Sequence, residues 1–369
     1  MSNPQRISRL TPLKDALTTL DALAKPVAPH QADVDDAIGQ TLAADAVAKL
    51  LPSRATALRD GWAVKAEELA DAGGYAPVQL TGKPVWVETG DEMPAATDAV
   101  AAFDAIVIRG DLAEAIGPVT PGESVAQAGS EAAPSRPLRK SGERLRNVDA
   151  AVLAAAGIAR VSVRVPCVLI VSAREDLRLV PAMQMIARDC VARGGVPVLR
   201  NGVPLDDALR ADECDMIVIT GGSGAGARDA SVATLSRLGN VAVHGVGLTP
   251  GETVAFGDAD GRPVLIVPGR LDGALASWLV LGRRMLVRLA GDNEPERAAK
   301  AALSRKVTST VGLAELVPVR HDGASAEPLA TRHLPLWALA RANGWLLVPP
   351  DSEGYPAGAE VAIHTWPGN

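Results

Sequence analysis

Residues 166 to 291 alternate short, wholly apolar runs with amphipathic stretches, and this alternation constrains the fold more than any other feature of the chain. The runs Val168 to Val171, Met216 to Ile219 and Val264 to Val267 contain no polar residue. A strand that is apolar on both sides must be covered on both sides, as in parallel sheets. Helical stretches separate the runs, so the pattern predicts an α/β unit with a mostly parallel sheet.

The helices of this unit carry recognisable start and stop signals. Pro181 suits the first turn of one helix, and Gly194 and Gly195 lie beyond its end. Three-to-four-residue spacing predicts that this helix buries Ala182, Met185, Ile186 and Cys190. The other predicted elements are strands at Val196 to Leu199 and Val241 to Val243, and helices at Ala230 to Leu238 and Asp272 to Leu289.

The rest of the chain has a different texture. Residues 1 to 50 begin with a helical pattern at Leu13, Leu17 and Leu20 and contain a second possible helix start at Asp33 to Asp36. A helix at Val148 to Ala156, ended by Gly157, is expected in the same helical domain. Short alternating runs at 85–87, 99–102 and 106–108 indicate strands, as do 345–348 and 360–365, which follow a predicted helix at 335–342.

These patterns predict a multidomain chain of the α/β plus β class. At 369 residues it is long enough for two to four folding units. The predicted boundaries are 1–50 with 136–165 for a discontinuous helical linking domain, 51–135 for a β-rich domain, 166–293 for the α/β domain and 294–369 for a C-terminal β domain.

Charge and hydropathy exclude several classes of function. The formal net charge is −6, which argues against broad electrostatic binding to nucleic acid or to an anionic membrane. No stretch approaches the roughly 18 apolar residues that a membrane-spanning helix needs. The start, MSNPQRISRL, lacks the apolar centre of a secretory signal, so a cytoplasmic location is expected.

The spacing of the cysteines and histidines indicates neither a disulfide framework nor a metal site. Cys167, Cys190 and Cys214 are more than twenty residues apart, which fits neither a disulfide framework nor a zinc knuckle. We expect each of them to be a small buried hydrophobic residue. The five histidines are scattered singly, and no pair has metal-ligand spacing.

Three loops that follow buried strands contain unusual residues. Ligands of open α/β sheets bind beyond the carboxyl ends of the strands, so these loops are expected to form one pocket. They are residues 172–176, residues 220–229 with the sequence TGGSGAGARD, and residues 268–272 with the sequence PGRLD.

The glycine-rich loop 220–229 is the most informative of the three. Its glycines let the backbone approach a ligand and direct N–H groups at an anion, although a tight strand-to-helix turn alone would also need them. The loop lacks the lysine of a nucleoside-triphosphate loop and the spacing of a dinucleotide-binding loop. A phosphate or pyrophosphate cradle fits, with Asp229 expected as the N-cap of the next helix.

Weaker signals lie elsewhere. Asp60 with Gly61, and Thr89 with Asp91 and Glu92, occupy acidic segments that are also common as plain turns. The basic run 136–146 either steers an anion or flanks a helix as solvated charge. Arg283, Arg284 and Arg288 in the long helix are expected to complement its dipole.

Taken in order, these segments resemble the molybdopterin molybdenumtransferase family, the MoeA and gephyrin E-domain proteins. TALRDGWAV resembles the family's SAMDGYAV, TGDEMPAATDAV is similar to TGxxxPxGADAV, and TGGSGAGARD is similar to SGGVSVGExD. TPGETVAFG corresponds to PGKPxxFG, VPGRLDGAL to LPGNPVSA, and VTPGESVAQAGSEA more distantly to GENVRxxGED. The resemblance covers essentially the whole chain, including the closing segment ANGWLLVPPDSEGYPAGAEV.

The resemblance implies a fold and an activity. The fold would be a homodimer of four-domain subunits, in which the β-rich domain covers the α/β molybdopterin-binding domain of the other subunit as a lid. The activity would be insertion of molybdenum from molybdate into adenylated molybdopterin with release of AMP, assisted by Mg²⁺. A molybdoenzyme or a cofactor chaperone would be a further partner, with no nucleic acid and no membrane involved.

The resemblance also implies site residues. Asp60, Asp176 and Asp229 would be catalytic, and Asp229 and Asp176 would hold the metal. The substrate-binding residues would be Thr89, Glu131, Thr220, Gly221, Gly222, Ser223, Gly224, Arg228, Pro250, Gly251, Pro268, Gly269 and Arg270.

Several family residues that hold anions are replaced in this chain. Thr249 and Glu252 stand where the family has lysines, and Arg270 with Leu271 replaces an Asn-Pro pair. Arg174, Arg228 and Arg270 are additional cations, and an arginine can bind a phosphate through two hydrogen bonds. The lysine losses favour an alternative hypothesis, a catalytically impaired molybdopterin-binding carrier or regulator of molybdoenzyme maturation.

Overall fold

A computed structural model describes residues 5–226, 229–295 and 298–368. The chain divides into two compact units, one of Met1–Ala44, Ser141–Arg146 and Val161–Asn369, and a second of Asp45–Lys140 and Asn147–Arg160. In the described ranges, no helix has the length and apolar character needed to cross a bilayer.

The helices and strands follow one another with short connections. The helices are α1 Leu13–Leu23, α2 Asn147–Ala155, α3 Val180–Ala192, α4 Leu205–Arg210, α5 Ser231–Leu238, α6 Leu271–Ser277, α7 Arg283–Ala290 and α8 Leu336–Arg341. The strands up to residue 164 are β1 His30–Asp33, β2 Thr41–Leu42, β3 Thr56–Ala57, β4 Gly61–Val64, β5 Val78–Gln79, β6 Val85–Val87, β7 Ala99–Ala101, β8 Ile106–Arg109, β9 Leu112–Ala115, β10 Val125–Ala126 and β11 Arg160–Arg164. The later strands are β12 Cys167–Ser172, β13 Val196–Asn201, β14 Met216–Thr220, β15 Asn240–His244, β16 Leu248–Thr249, β17 Ala255–Ala259, β18 Arg262–Val267, β19 Ala298–Leu303, β20 Val307–Thr308, β21 Ala314–His321, β22 Ser325–Pro328, β23 Gly344–Val348, β24 Gly354–Tyr355 and β25 Glu360–Thr365.

The first unit contains the predicted α/β sheet. Its six strands lie in the order β13-β12-β14-β18-β17-β15. The first four are parallel, and β17 and β15 run antiparallel at one edge. The sequence analysis missed β17 and the short helix α4. The mostly parallel α/β architecture is confirmed.

Apolar side chains cover both faces of this sheet, as the continuous apolar runs require. Alternate residues of β12 face opposite sides, with Val168 and Ile170 in one cluster and Leu169 and Val171 in another. Helix α3 buries Ala182, Ile186 and Cys190 as expected, whereas Met185 is only partly buried. Helices α6 and α7 form the predicted long helix, with a five-residue π-helical segment, Trp278–Gly282, between them.

The C-terminal β region forms a closed barrel. Strands β21, β22, β19, β25 and β23 pair in sequence, and an additional β21–β23 pairing closes the ring. Strand β16, which belongs to the α/β part of the chain, pairs in parallel with β21 through Leu248 and Thr249. The C-terminal region is therefore joined by a strand pair to the segment that leads into Pro250.

The prediction of a second helix near Asp33 is wrong. A three-stranded sheet, β1-β11-β2, occupies this part of the first unit. One helical turn forms where Ala37 N–H donates to the Asp33 carbonyl oxygen at 3.0 Å. It ends because Gly39, with φ of +83°, donates its N–H to Leu145 rather than continuing the turn. Between residues 5 and 44, which the structure describes, α1 is the only α-helix.

The second unit is β-rich, as expected. It contains the three-stranded sheets β6-β4-β7 and β5-β9-β8. Trp62 and Trp86 lie opposite each other on β4 and β6, with ring centroids 5.0 Å apart in an edge-to-face arrangement. Helix α2 also belongs to this unit, and Gly157 follows it with the expected left-handed φ of +75°.

The expectation that the cysteines take no part in a disulfide is wrong for two of them. Cys167 and Cys214 form a disulfide, with Cα atoms 4.7 Å apart. The adjacent parallel strands β12 and β14 bring them together, which a separation of 47 residues in sequence does not reveal. Cys190 is free and buried, and burial raises the pKa of its thiol to about 12.

Candidate functional site

The three loops predicted to converge do so at the carboxyl end of the parallel strands. They line a cavity of about 730 Å³ in the first unit. Its lining residues are Arg174, Asp176, Arg178, Leu179, residues 221–224, Asp229, Thr253, residues 268–272 and residues 333–336. The last segment leads from the barrel into α8 and was not anticipated. Continuous apolar strands thus place three polar loops at one edge of a buried sheet, where ligands of such folds bind.

The glycine-rich loop presents its backbone to this cavity. Gly221 and Gly222 adopt left-handed conformations, with φ of +83° and +77°. A Cβ atom on Gly222 would collide with the Ser231 hydroxyl, so only glycine fits there. Among the described residues, nothing accepts a hydrogen bond from the amides of Gly222, Ser223 and Gly224. Successive unpaired amides next to a helix N-terminus form an anion-binding concavity.

A side chain from the start of the chain fixes the loop's orientation. The Gln5 amide nitrogen donates to the carbonyl oxygens of Gly222 and Gly224, both at 2.9 Å. The Gln5 amide oxygen accepts from Ala233 N–H at 2.8 Å, in the first turn of α5. Because two loop carbonyls are held on this side, the loop amides are left for a ligand. Sequence analysis missed Gln5, which lies more than 200 residues from the loop.

The hydroxyl groups of Thr220 and Ser223 bind to neighbouring segments and so stabilise the loop. Thr220 is buried and donates its hydroxyl to the Val171 carbonyl oxygen at 3.0 Å, so its side chain serves the sheet. The Ser223 hydroxyl lies 3.0 Å from that of Thr253. Both residues were predicted to bind substrate, and Ser223, but not Thr220, lines the cavity.

Asp229 lies in the cavity but does not cap the next helix, so that expectation is wrong. The N-cap of α5 is Ala230, which has no side-chain cap. The Asp229 carboxylate instead turns back and accepts the Gly226 N–H at 3.2 Å. It therefore lies at the glycine loop, where a carboxylate can face a bound phosphate or a cation. Arg228 lies outside the described residues.

Asp176 also lines the cavity, paired with an arginine that sequence analysis missed. Arg178 donates from Nε and Nη2 to the two Asp176 carboxylate oxygens, at 3.0 and 2.7 Å. These hydrogen bonds hold the pKa of Asp176 at about 2. Asp176 is ionised at neutral pH, and the exposed Arg178 side chain adds a cation to the rim.

Arg270 is held at the opposite rim by two residues. Its Nε and Nη2 donate to the Asp272 carboxylate at 3.2 and 3.0 Å, and Nη2 also donates to His333 Nδ1 at 2.8 Å. Asp272 is 5% exposed. Burial alone would raise the pKa of Asp272, but the hydrogen bonds from Arg270 and Gly273 outweigh it and lower that pKa. Asp272 and His333 were not among the predicted site residues.

A smaller cavity of about 370 Å³ adjoins the first one. Pro250 and Gly251 line it, and Arg270 lines both cavities. Glu252 and Arg332 contribute charges of opposite sign to this smaller space. The predicted residues Pro250, Gly251, Pro268, Gly269 and Arg270 therefore belong to one continuous region of the first unit.

Three predicted residues lie in the second unit. Asp60 accepts hydrogen bonds from the Thr89 backbone N–H at 2.7 Å and from the Thr89 hydroxyl at 2.9 Å. These donors lower the pKa of Asp60. Glu131 is exposed and donates its backbone N–H to the Leu51 carbonyl oxygen. The structure thus brings Asp60 and Thr89 together within this unit.

Comparisons with known proteins match the chain in three successive segments. Residues 11–157 match the model of the MoeA N-terminal region (domain I and II), 188–288 match that of a probable molybdopterin binding domain, and 300–366 match that of the MoeA C-terminal region (domain IV). The molybdopterin molybdenumtransferase 2 of Mycobacterium tuberculosis is 26% identical over 385 aligned residues, with coverage of 91% of this chain and 94% of that protein.

Solved structures agree with this fold. The molybdopterin biosynthesis MoeA protein of Pyrococcus horikoshii is 24% identical and aligns with 97% of this chain and 100% of its own, with a TM-score of 0.81. A molybdenum cofactor biosynthesis protein of Pyrococcus furiosus is 23% identical over similar coverage, 97% and 100%, with a TM-score of 0.61. Because the N-terminal, central and C-terminal models match in the expected order, this chain belongs to the MoeA family.

Proposed function

We propose that this chain inserts molybdenum from molybdate into adenylated molybdopterin and releases AMP. One observation carries the proposal: the amides of Gly222, Ser223 and Gly224 are unpaired among the described residues and line a cavity of about 730 Å³. Such amides bind phosphoryl groups, and the cavity is large enough for a small heterocyclic ligand.

The charges around the cavity support anion chemistry. Arg174, Arg178 and Arg270 line it, and each guanidinium keeps its charge at any physiological pH. A phosphoanhydride that is held by loop amides and faced by arginines is polarised without a covalent enzyme intermediate. Catalysis would then come from positioning and from electrostatic stabilisation of the charge that develops on the departing AMP.

The arginines also supply positive charge in the region where two family lysines are absent. Thr249 is largely buried and Glu252 is acidic, so neither replaces an ammonium group. Arg270 lines both the larger cavity and the cavity next to these residues. We therefore favour an active transferase over the carrier alternative, and the names of the curated relatives support the same choice.

Mg²⁺ is a further part of the proposal. This ion is commonly held by one or two carboxylates together with substrate phosphates. Asp229 fits this role because its carboxylate lies at the glycine loop, whereas both Asp176 oxygens are taken by Arg178. Within the described ranges, no three His, Cys, Asp or Glu side chains are grouped as a metal cage. When bound, Mg²⁺ would neutralise phosphate charge beside Asp229.

The remaining parts of the proposal concern partners and location. We infer that the chain acts as a homodimer in the cytoplasm and passes its product to a molybdoenzyme or to a cofactor chaperone. Asp60, Thr89 and Glu131 in the second unit would contact the substrate. The hydrogen bonds from Thr89 support a role for Asp60 as an ionised carboxylate at neutral pH.

The test is molybdate-dependent release of AMP from adenylated molybdopterin by the purified chain. Release is expected for the native chain and is expected to disappear in Asp229→Ala. Asp206→Ala is the matched control, since Asp206 pairs with Arg237 away from the cavity. Pterin binding without AMP release in the native chain would contradict the transferase and support the carrier. Absence of pterin binding would contradict both.

A further inference from the structure

A buried carboxylate lies beside a cavity that is otherwise built for anions. Asp272 is 5% exposed and stands at the start of α6. One of its oxygens accepts from Arg270 Nε at 3.2 Å and from Gly273 N–H at 2.9 Å, and the other accepts from Arg270 Nη2 at 3.0 Å. A negative charge at this place repels an anionic ligand, so its presence needs a reason.

The Arg270 guanidinium is fixed along one edge only. Nε and Nη2 are bound to Asp272, and Nη2 also donates to His333 Nδ1 at 2.8 Å. Among the described residues Nη1 has no partner, and the Arg270 side chain is 69% exposed. The guanidinium therefore has an anchored edge and an edge with two free N–H donors.

The His333 ring lies against both members of the pair. Its Nδ1 is 2.8 Å from Arg270 Nη2 and 3.4 Å from Asp272 Oδ2. His333 comes from the segment between the barrel strand β22 and α8, whereas Arg270 follows β18 of the sheet. The barrel and the sheet thus hold one arginine between them.

We propose that Asp272 and His333 are positioning residues, which hold Arg270 so that its Nη1 edge binds an oxyanion of the substrate. This inference rests on the proposed function for the identity of the substrate, but not for the anion binding itself. A long arginine side chain loses rotamer freedom when it binds a ligand, and prior anchoring removes part of that cost. The chemical class recognised is a phosphoryl or comparable tetrahedral oxyanion.

The direction in which one substitution changes pyrophosphate affinity distinguishes a positioning role of Asp272 from a purely electrostatic one. Asp272→Asn removes a negative charge close to the cavity, so electrostatics alone makes the binding of inorganic pyrophosphate tighter. If Asp272 positions Arg270, the same change weakens pyrophosphate binding, by about tenfold on the scale of one charged hydrogen bond. Isothermal titration calorimetry on the full chain measures the affinity, and Asp206→Asn is the control for removal of a remote carboxylate.

A double-substitution cycle shows through which residue Asp272 acts. In an Arg270→Ala background, Asp272→Asn is expected to cause no further weakening. His333→Leu is expected to weaken binding, and His333→Asn, which keeps an acceptor, is expected to restore part of it. Thermal unfolding of each variant identifies a chain that fails to fold, and Arg270→Lys then replaces Asp272→Asn as the reporter because it leaves the buried carboxylate in place.

The inference is overturned if Asp272→Asn binds pyrophosphate as tightly as the native chain or more tightly. Equal weakening in the native and Arg270→Ala backgrounds would also overturn it, because Asp272 would then act through something else. If Arg270→Lys binds as well as the native chain, the fixed guanidinium edge is not used. None of these results depends on molybdenum transfer, so a failure of the proposed function is recognised separately.

Discussion

Two arginine–aspartate pairs in the same unit show how one interaction serves two purposes. Arg283 donates from Nε and Nη2 to Asp189 at 2.8 and 2.6 Å, and its Nη1 donates to the Thr365 carbonyl oxygen. Arg270 makes the same two-nitrogen contact with Asp272. The Arg283 side chain is 5% exposed, whereas the Arg270 side chain is 69% exposed.

The two arginines differ in how many of their guanidinium nitrogens have a partner within the protein. Every nitrogen of the Arg283 guanidinium has a partner within the protein, and Asp189 also accepts from Trp278 Nε1 at 2.7 Å in the π-helical segment. The expectation that Arg283 merely complements the helix dipole is therefore wrong. Arg270 keeps its Nη1 donors at the cavity. A buried arginine whose donors are all paired, such as Arg283, stabilises the fold, whereas an exposed arginine with unpaired donors, such as Arg270, is available to bind a ligand.

The largest effect is expected when the buried pair is broken. Arg283→Leu leaves the Asp189 carboxylate buried without its main partner, which costs about 3–5 kcal/mol of unfolding free energy. Chemical denaturation measures this loss. The neighbouring Arg284→Leu is the control, because Arg284 pairs with Asp21 at 46% side-chain exposure and such pairs contribute about 0–1 kcal/mol. Equal losses in the two variants would contradict the distinction.

The pair with the exposed arginine is expected to give the opposite balance of effects. Arg270→Ala destabilises the chain less than Arg283→Leu, because Gly273 N–H still donates to the Asp272 carboxylate after the arginine is removed. The same change weakens pyrophosphate binding by about tenfold, because one charged hydrogen-bonding group is lost. Calorimetry measures the pyrophosphate affinity and chemical denaturation measures the unfolding free energy, both on the same preparation. Strong destabilisation with unchanged binding would make Arg270 a structural residue like Arg283.

The stability contributed by the buried pair also depends on pH. Burial tends to raise the pKa of Asp189, but hydrogen bonding to Arg283 prevents this and lowers that pKa. Asp189 therefore contributes stability above its unfolded pKa of about 4, and this contribution is lost as the pH falls toward its folded pKa. In Arg283→Leu, only Trp278 and Arg193 still oppose the effect of burial, so the Asp189 pKa rises relative to the native chain and stability depends less steeply on pH. Denaturation from pH 3 to 7 distinguishes the two slopes, and parallel curves would contradict the account.

The smallest effect concerns a carboxylate held by neutral donors in the second unit. Thr89→Val removes the hydroxyl that donates to Asp60 and leaves the backbone N–H in place. The pKa of Asp60 is expected to rise part of the way to its ordinary value, while stability is nearly unchanged. Carboxyl-detected NMR titration measures the shift, with Asp104 as an exposed reference residue in the same unit. An unchanged Asp60 pKa would show that the hydroxyl contact is absent in solution.

Much of the fold could be predicted because burial leaves a periodic trace in the sequence. The runs that became β12, β14 and β18 are apolar on both faces, and this property also predicts where their loops meet. Strand β17 was missed because Gly257 and Asp258 interrupt its short apolar pattern. The prediction that Asp229 caps α5 was wrong because its carboxylate accepts the Gly226 N–H within the loop and not an N–H of the helix.

The parts of the site that could not be predicted come from distant segments. Gln5 reaches the glycine loop from the start of the chain, and His333 reaches Arg270 across 63 residues of sequence. Neither contact has a local pattern, because each depends on how the barrel and the N-terminal segment pack on the sheet. Asp272 lies two residues after Arg270 and could have been suspected from that spacing.

The central claim is that the amides of the glycine loop receive a phosphoryl group, and NMR measures this most directly. Amide resonances of the isotopically labelled full chain are followed during titration with inorganic pyrophosphate. The account predicts saturable shifts of the Gly222, Ser223 and Gly224 amide resonances. Gly261, which lies in a turn outside the cavity, is the control and is expected to keep its shift. Saturable binding that leaves those three amides unmoved would contradict the account.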